Sequence, residues 1–205
     1  MSTARIDELA RSLGRPLDAA RRDALDRFGA LVRTWNARLD LTAAREERAM
    51  TEVLFADAMV MADRTLVPEG ASVIDVGSGA GAPALPFALL RPDVTLTMVE
   101  PLRKRVAFLR TVIGSLDLAS RVRAVEGRVE PGNASALGAH DVASARATFA
   151  PEVWLETGLA LAPSCLVFTA GEPPTTAASA RLTHRESYTL PWSGAPRVLA
   201  RFERS

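Results

Sequence analysis

Apolar and polar positions alternate in two styles along the chain, helical periodicity first and then short apolar runs separated by helical segments. Residues 3–13 predict a first short helix, which Gly14 closes. Leu17, Ala20, Ala24, Leu25, Phe28, Leu31, Val32 and Trp35 recur at helical spacing and make the apolar stripe of a second helix. Pro16 suits its start and Asp18 its first turn, while Arg21, Arg22, Asp23, Asp26 and Arg33 form the opposite, solvated face. Residues 36–42, NARLDLT, break that pattern. A third helix is predicted over residues 46–61, with Met50, Val53, Leu54, Ala58 and Met61 turned inward. Asp57 falls on or near the inward side, where a carboxylate needs a partner, so it is expected to tie these helices to the glycine-rich turn at residues 77–81.

Pro68, Glu69 and Gly70 have turn chemistry and mark a change of style. After them come apolar, β-branched runs at residues 72–76, 94–99, 121–125, 141–144 and 164–169. Helical segments separate several of them: residues 83–90, a stretch after Pro101 with Val106, Leu109, Val112 and Ile113 as its buried stripe, and residues 151–161. Such alternation predicts an α/β fold with parallel strands. Residues 171–180 read as a loop, and residues 181–190 and 197–202 pair as an antiparallel edge across Pro191, Trp192, Ser193 and Gly194. The expected organisation is an N-terminal helical cap over residues 1–66 and a sheet domain over residues 67–205, forming one compact unit.

The first strand runs into Gly77, Ser78, Gly79, Ala80 and Gly81, a turn that side chains would obstruct. The glycines let backbone approach a ligand, and a helix N-terminus offers free N–H groups beyond them. Glu100 ends the second strand, where an acid commonly takes both hydroxyls of a ribose. Gly77-x-Gly79-x-x-Ala82 satisfies a dinucleotide fingerprint and so admits a nicotinamide or flavin enzyme. Asp75, just ahead of Gly-x-Gly-x-Gly, instead resembles motif I of the class I methyltransferases that use S-adenosylmethionine. A turn that merely links strand to helix needs neither three glycines nor acids at both strand ends. Val129 and Glu130 follow the third strand and Arg146 the fourth, at carboxyl ends where open sheets bind ligands.

With 205 residues, 48% of them hydrophobic, the chain can build one core of this kind. No segment has the apolar length of a membrane span, and the charged N-terminus does not read as a signal peptide, so a cytoplasmic protein is expected. Cys165 stands alone, which excludes an intrachain disulfide and a thiolate cluster; with only His140 and His184, no metal site is expected. The net charge of +1 is uninformative, but Lys104 is the sole lysine, and arginine forks suit phosphate. Arg103, Lys104, Arg105 and Arg110, beside the cofactor edge, are either a solvated face or a contact for RNA phosphates.

Taken together, Trp35-Asn36, Leu39-Asp40-Leu41-Thr42, Asp75 to Gly81, Leu89-Leu90-Arg91-Pro92, Lys104-Arg105-Val106, Phe108-Leu109-Arg110 and Arg146-Ala147 resemble a family. It is the small-subunit ribosomal RNA guanine-N7 methyltransferases, also called the glucose-inhibited division protein B family. The resemblance implies a class I methyltransferase fold, Rossmann-like, with a mostly parallel seven-stranded sheet and an N-terminal helical cap. It implies S-adenosyl-L-methionine as donor and a guanine of 16S ribosomal RNA in the small subunit as acceptor. Cofactor contacts carry over to Gly77, Ala82, Val129, Glu130 and Arg146, joined by Asp75, Gly79, Gly81 and Glu100 from the motif itself. No catalytic base is expected, because guanine N7 carries its own lone pair and loses no proton. Arg146 is expected at the junction of cofactor and base.

The chain departs from the family at several positions. Ala82 replaces a bulky residue, Ala145-Arg146-Ala147-Thr148 replaces Ser-Arg-Ala-Phe, Leu54 a histidine, and Ala170 the lysine of a Lys-Gly pair. These departures keep two other readings open: a divergent paralogue that methylates a small molecule or another RNA, and a non-catalytic remnant.

Overall fold

A computed structural model describes residues 2–130, 137–175 and 180–205. Three helices come first, α1 (Thr3–Ser12), α2 (Ala19–Leu39) and α3 (Glu47–Met61). Then follow β1 (Ser72–Val76), α4 (Ala84–Leu90), β2 (Thr95–Glu100), α5 (Arg103–Ser115), β3 (Val122–Glu126) and β4 (Val142–Ala145). The chain finishes with α6 (Pro151–Leu161), β5 (Ser164–Thr169), β6 (Ala180–Thr189) and β7 (Pro196–Arg204). The strands make one seven-stranded sheet in the order β3-β2-β1-β4-β5-β7-β6, in which β7 alone runs against the others. The expected mostly parallel α/β sheet is therefore present. The C-terminal hairpin adds β7, not β6, to β5 and leaves β6 at the edge.

Central strands are covered on both faces, which is why β1 reads as a nearly unbroken apolar run. On one face Val73, Leu96, Met98 and Val142 share a core with α4, α5 and the first three helices. Phe28 of α2 and Phe55 of α3 meet edge to face with centroids 6.2 Å apart, and Trp35 rests on Phe108 of α5 at 5.8 Å. The cap helices thus lie in the same core as the sheet. On the other face Ile74, Ala143, Cys165 and Phe202 pack under α6. There the Trp154 indole donates to the Leu166 carbonyl at 2.8 Å, and an added methyl at Gly158 would run into the Cys165 sulfur.

Several local expectations need correction. Asp18 lies outside α2 as its N-cap, accepting from the Arg21 amide at 2.8 Å, so the helix starts after Pro16 and not at it. Ala20 is exposed, outside the buried stripe. Residues 36–42 do not interrupt α2, which runs on through a buried Asn36 to Leu39. Polar Asn36 looked like a break because its partner lies beyond the helix. Its amide accepts from the Thr42 N–H at 2.9 Å and donates to the Thr42 carbonyl at 3.1 Å, folding the loop back. Val53 is 38% exposed and faces outward from α3, which is otherwise buried from Met50 onward.

Below the sheet, Arg91 is buried and knots three segments together. It donates to the carbonyls of Ala62, Val67 and Pro68 and grips Asp93 through Nε at 2.8 Å and Nη2 at 2.6 Å. The guanidinium and the Gly70 amide hold the Asp93 carboxyl well below its ordinary value of 3.8. A carboxylate with a lowered folded-state pKa stabilises above the unfolded value, and this contribution fades as pH falls through the folded one. Asp93→Asn should therefore cost about 1–3 kcal/mol at neutral pH. In urea unfolding the gap from the unaltered protein should shrink as pH drops below 3.8. A gap that stays constant with pH would contradict this role.

Candidate functional site

The sheet order places a switch point between β1 and β4: the chain leaves β1 towards β2 on one side, while β4 lies on the other. Ligands of open α/β sheets sit in the crevice at such a point, outside the carboxyl ends of the strands. The register pairs Asp75 with Ser144, so Gly77 and Arg146 emerge side by side.

Two buried carboxylates shape the glycine turn from below. Asp75 is 2% exposed; its Oδ2 accepts from the Ser78 hydroxyl at 2.6 Å and its Oδ1 from the Ser144 hydroxyl at 3.1 Å. Burial pushes its pKa up, against the lowering effect of those two hydroxyls. Asp75 thereby fixes the path of the turn from β1 and joins it to β4. Glu100 is equally buried and accepts from the Gly79 amide at 2.9 Å and the Leu102 amide at 3.0 Å. An ionised carboxylate has about four acceptor positions, so capacity for a diol remains at the end of β2.

The three glycines of the turn have different duties. Gly77, Gly79 and Gly81 all take positive φ, +75°, +54° and +81°. Gly79 is the open one, with no side chain within reach of an added methyl. At Gly81 that methyl would lie 2.6 Å from Leu85, so this glycine allows the turn to pack on α4 and α5 and turns away from the crevice. At Gly77 it would strike Thr148, whose hydroxyl donates to the Arg146 carbonyl at 3.2 Å. The amides of Ala80 and Ala82 make no hydrogen bond among the described residues. Open amides, an unobstructed Gly79 and a buried acid with spare acceptor positions suit a cofactor that carries a carboxylate and a ribose.

Arg146 follows β4 beside this turn and lines a cavity. Its Nη1 donates to the Val53 carbonyl at 2.9 Å and to Asp57 Oδ2 at 2.7 Å. Asp57, expected to tie the helices to the glycine turn, instead ties them to Arg146 after β4 and, through Oδ1, to the Tyr188 hydroxyl at 2.7 Å. Ala147 follows with φ +56°, a strained setting for a residue with a side chain, and swings the chain back so that Thr148 covers Gly77. The adjoining cleft, about 400 Å³, is lined by Val53, Asp57, Arg146, Phe168, Ala170 and Arg197 among others.

The remaining expected residues divide. Ala82 is half-buried at the end of the turn. Val129 is buried beside Val76 and Val99, an apolar wall next to the ends of β1 and β2, and Glu130 is exposed after it. Arg103 and Lys104 are exposed and Arg105 half-exposed at the start of α5, next to the end of β2. Arg110 is turned aside, its Nε donating to the Ala124 carbonyl at 3.2 Å. Neither histidine enters the crevice: His140 meets Thr97 at 3.2 Å and His184 meets Thr65 at 3.4 Å. No group of three or more His, Cys, Asp or Glu residues suited to a metal occurs among the described residues. Ser144 and Tyr188 carry no assignment from the sequence, and Ser78 and Thr148 enter it only as a turn residue and a departure from the family pattern. A serine one place after the first glycine is a local signal; Tyr188, 131 positions from Asp57, offered none.

Comparison with known proteins gives a consistent picture. The GidB family, described as rRNA small subunit methyltransferase G, matches residues 21–164. A ribosomal RNA small subunit methyltransferase G of Anaeromyxobacter dehalogenans (strain 2CP-C) is 32% identical over 217 residues, covering 100% of both chains. Among solved structures, TrmN from Thermus thermophilus is similar with a TM-score of 0.54 and 18% identity, over 83% of this chain and 53% of that one. The C-terminal domain of precorrin-6Y C5,15-methyltransferase from Rhodobacter capsulatus is similar with a TM-score of 0.50 and 15% identity, over 80% and 94%. At such identities the structures establish the Rossmann-like methyltransferase fold alone.

The different surroundings of the glycines give a graded expectation. Gly79→Ala should cost only the left-handed backbone strain, about 1–2 kcal/mol. Gly77→Ala adds a collision with Thr148 and should cost more and weaken cofactor binding further, as read by urea unfolding and calorimetric titration. Equal losses in the two variants would contradict the assigned geometry.

Proposed function

Because the chain belongs to the GidB family, that of rRNA small subunit methyltransferase G, we propose that it methylates N7 of a guanine in the 16S ribosomal RNA of the small subunit. Family membership makes it an S-adenosylmethionine-dependent RNA methyltransferase. Its partner is then the small subunit or its RNA, and its place the cytoplasm, in keeping with a chain that has no helix long and apolar enough to cross a membrane among the described residues. The observation that carries the reading is Arg146, which leaves β4 beside the start of the glycine turn and lines an open cleft.

S-adenosylmethionine supplies a methyl group on positively charged sulfur. Gly77, Gly79 and the open amides of Ala80 and Ala82 would take its amino-acid end, Glu100 the ribose hydroxyls, and Val129 with the backbone at Glu130 the adenine side. Asp75 and Gly81 serve by holding the turn in shape. On the acceptor side, Val53 and Phe168 offer apolar surface to a base, and Arg146 offers N–H groups. An N–H donated to guanine O6 orients the base and leaves the N7 lone pair free. No proton has to leave, so proximity and orientation are the catalytic means, and the crevice holds no histidine. The exposed cations Arg103 and Lys104, with Arg105, would meet RNA phosphates at the rim, and Arg110 contributes less because it is bound to β3.

Arg146→Ala should keep S-adenosylmethionine binding within a few-fold and lower methyl transfer by on the order of 100-fold. The measurement is label incorporated from S-adenosylmethionine into 16S RNA of small subunits from a strain lacking the modification. Undiminished transfer by the variant would remove Arg146 from the acceptor site.

A further inference from the structure

Arg146 is held from one side only. Nη1 is committed to Val53 and Asp57, whereas Nε and Nη2 make no hydrogen bond among the described residues, and the side chain is 22% exposed on the cleft. Asp57 is in turn met on both oxygens by groups that are distant in sequence. Its Oδ2 takes Arg146 from the end of β4, and its Oδ1 takes the hydroxyl of Tyr188 from the edge strand β6. Burial first, and then the Asp57 charge, push the Tyr188 phenol up, so the hydroxyl stays a donor. The same hairpin is fastened to α3 a second time: Glu52 accepts from the Trp192 amide at 2.8 Å and the Ser193 amide at 3.4 Å. Two acids of one buried helix therefore register the C-terminal hairpin against the crevice, and one of them also holds the arginine.

We propose that Asp57 and Tyr188 are positioning residues for methyl transfer, fixing Arg146 in the orientation that turns its free N–H groups to the acceptor base. The proposal rests on the reading of Arg146 as a residue of the acceptor cleft. Without Tyr188, the Asp57 carboxylate can rotate about its last side-chain bond and take Nη1 with it. The guanidinium then samples several orientations, and a reaction that depends on alignment slows. The hairpin becomes part of the active site although no residue of the Asp57–Tyr188 pair touches the reacting atoms.

Tyr188→Phe tests this, since it removes one hydroxyl and keeps the ring in place. In nitrogen-15 spectra of the full chain, with the Arg146 signal assigned through Arg146→Lys, solvent exchange of that guanidinium should quicken in Tyr188→Phe. In the labelled-subunit assay the maximal rate should fall on the order of 10-fold with KM for S-adenosylmethionine unchanged. Added to Arg146→Ala, Tyr188→Phe should lower the rate no further, which a purely structural hydroxyl would not reproduce. Unchanged guanidinium exchange, or losses that multiply in the double variant, would overturn the proposal. If the unaltered protein transferred no methyl to small subunits, the ribosomal reading would fall, and the Arg146 exchange rate would still decide whether Tyr188 positions it.

Discussion

A carboxylate taken out of water must be met by hydrogen-bond donors, and that constraint builds the crevice of this protein. Asp75, Glu100 and Asp57 are all buried, and each lies under a different part of it. Asp75 draws in Ser78 and Ser144 and so joins the glycine turn to the neighbouring strand. Glu100 draws in the Gly79 amide and joins the turn to the end of β2. Asp57 gathers Arg146 and Tyr188 and joins the helical cap to β4 and the hairpin. Apolar packing gives the sheet its layers, but these contacts decide where the turn, the arginine and the cleft stand relative to one another.

Legibility from sequence followed the kind of interaction involved. Strands buried on both faces and helices with one apolar stripe leave local patterns, so the element order and the α/β class could be read from spacing. The glycine turn was legible for the same reason, since three left-handed backbone positions close together in sequence exclude side chains locally. Side-chain polar partnerships, near or far along the chain, leave no such trace. Asn36 looked like a helix break because Thr42 could not be known as its partner, and Tyr188 looked like any strand aromatic. The inward need of Asp57 for a partner was visible; the identity of the partner was not. Direction also escaped: Asp75 and Gly81 belong to the motif, yet one serves from below and the other by packing on Leu85.

The departures from the family pattern fall into two groups once placed in the fold. Leu54 and Ala145 are 1% and 6% exposed, in the two opposite cores, where an apolar residue replaces a polar one without touching the crevice. Thr148 and Ala170 are exposed, the first over Gly77 and the second on the cleft wall. Phe149, one place late, stacks on Trp154 with centroids 5.6 Å apart, under α6 and away from the turn. Ala82, half-buried at the end of the glycine turn, belongs with the second group, so these departures fall both at the turn and on the cleft wall, while Leu54 and Ala145 alter packing alone.

The most direct test of the account is the chemical identity of the methylated product. Small subunits lacking the modification are incubated with the protein and labelled S-adenosylmethionine, the 16S RNA is digested to nucleosides, and these are separated. Label in 7-methylguanosine is the expected result. Label in another nucleoside, or none while an established family member labels the same subunits, would contradict it.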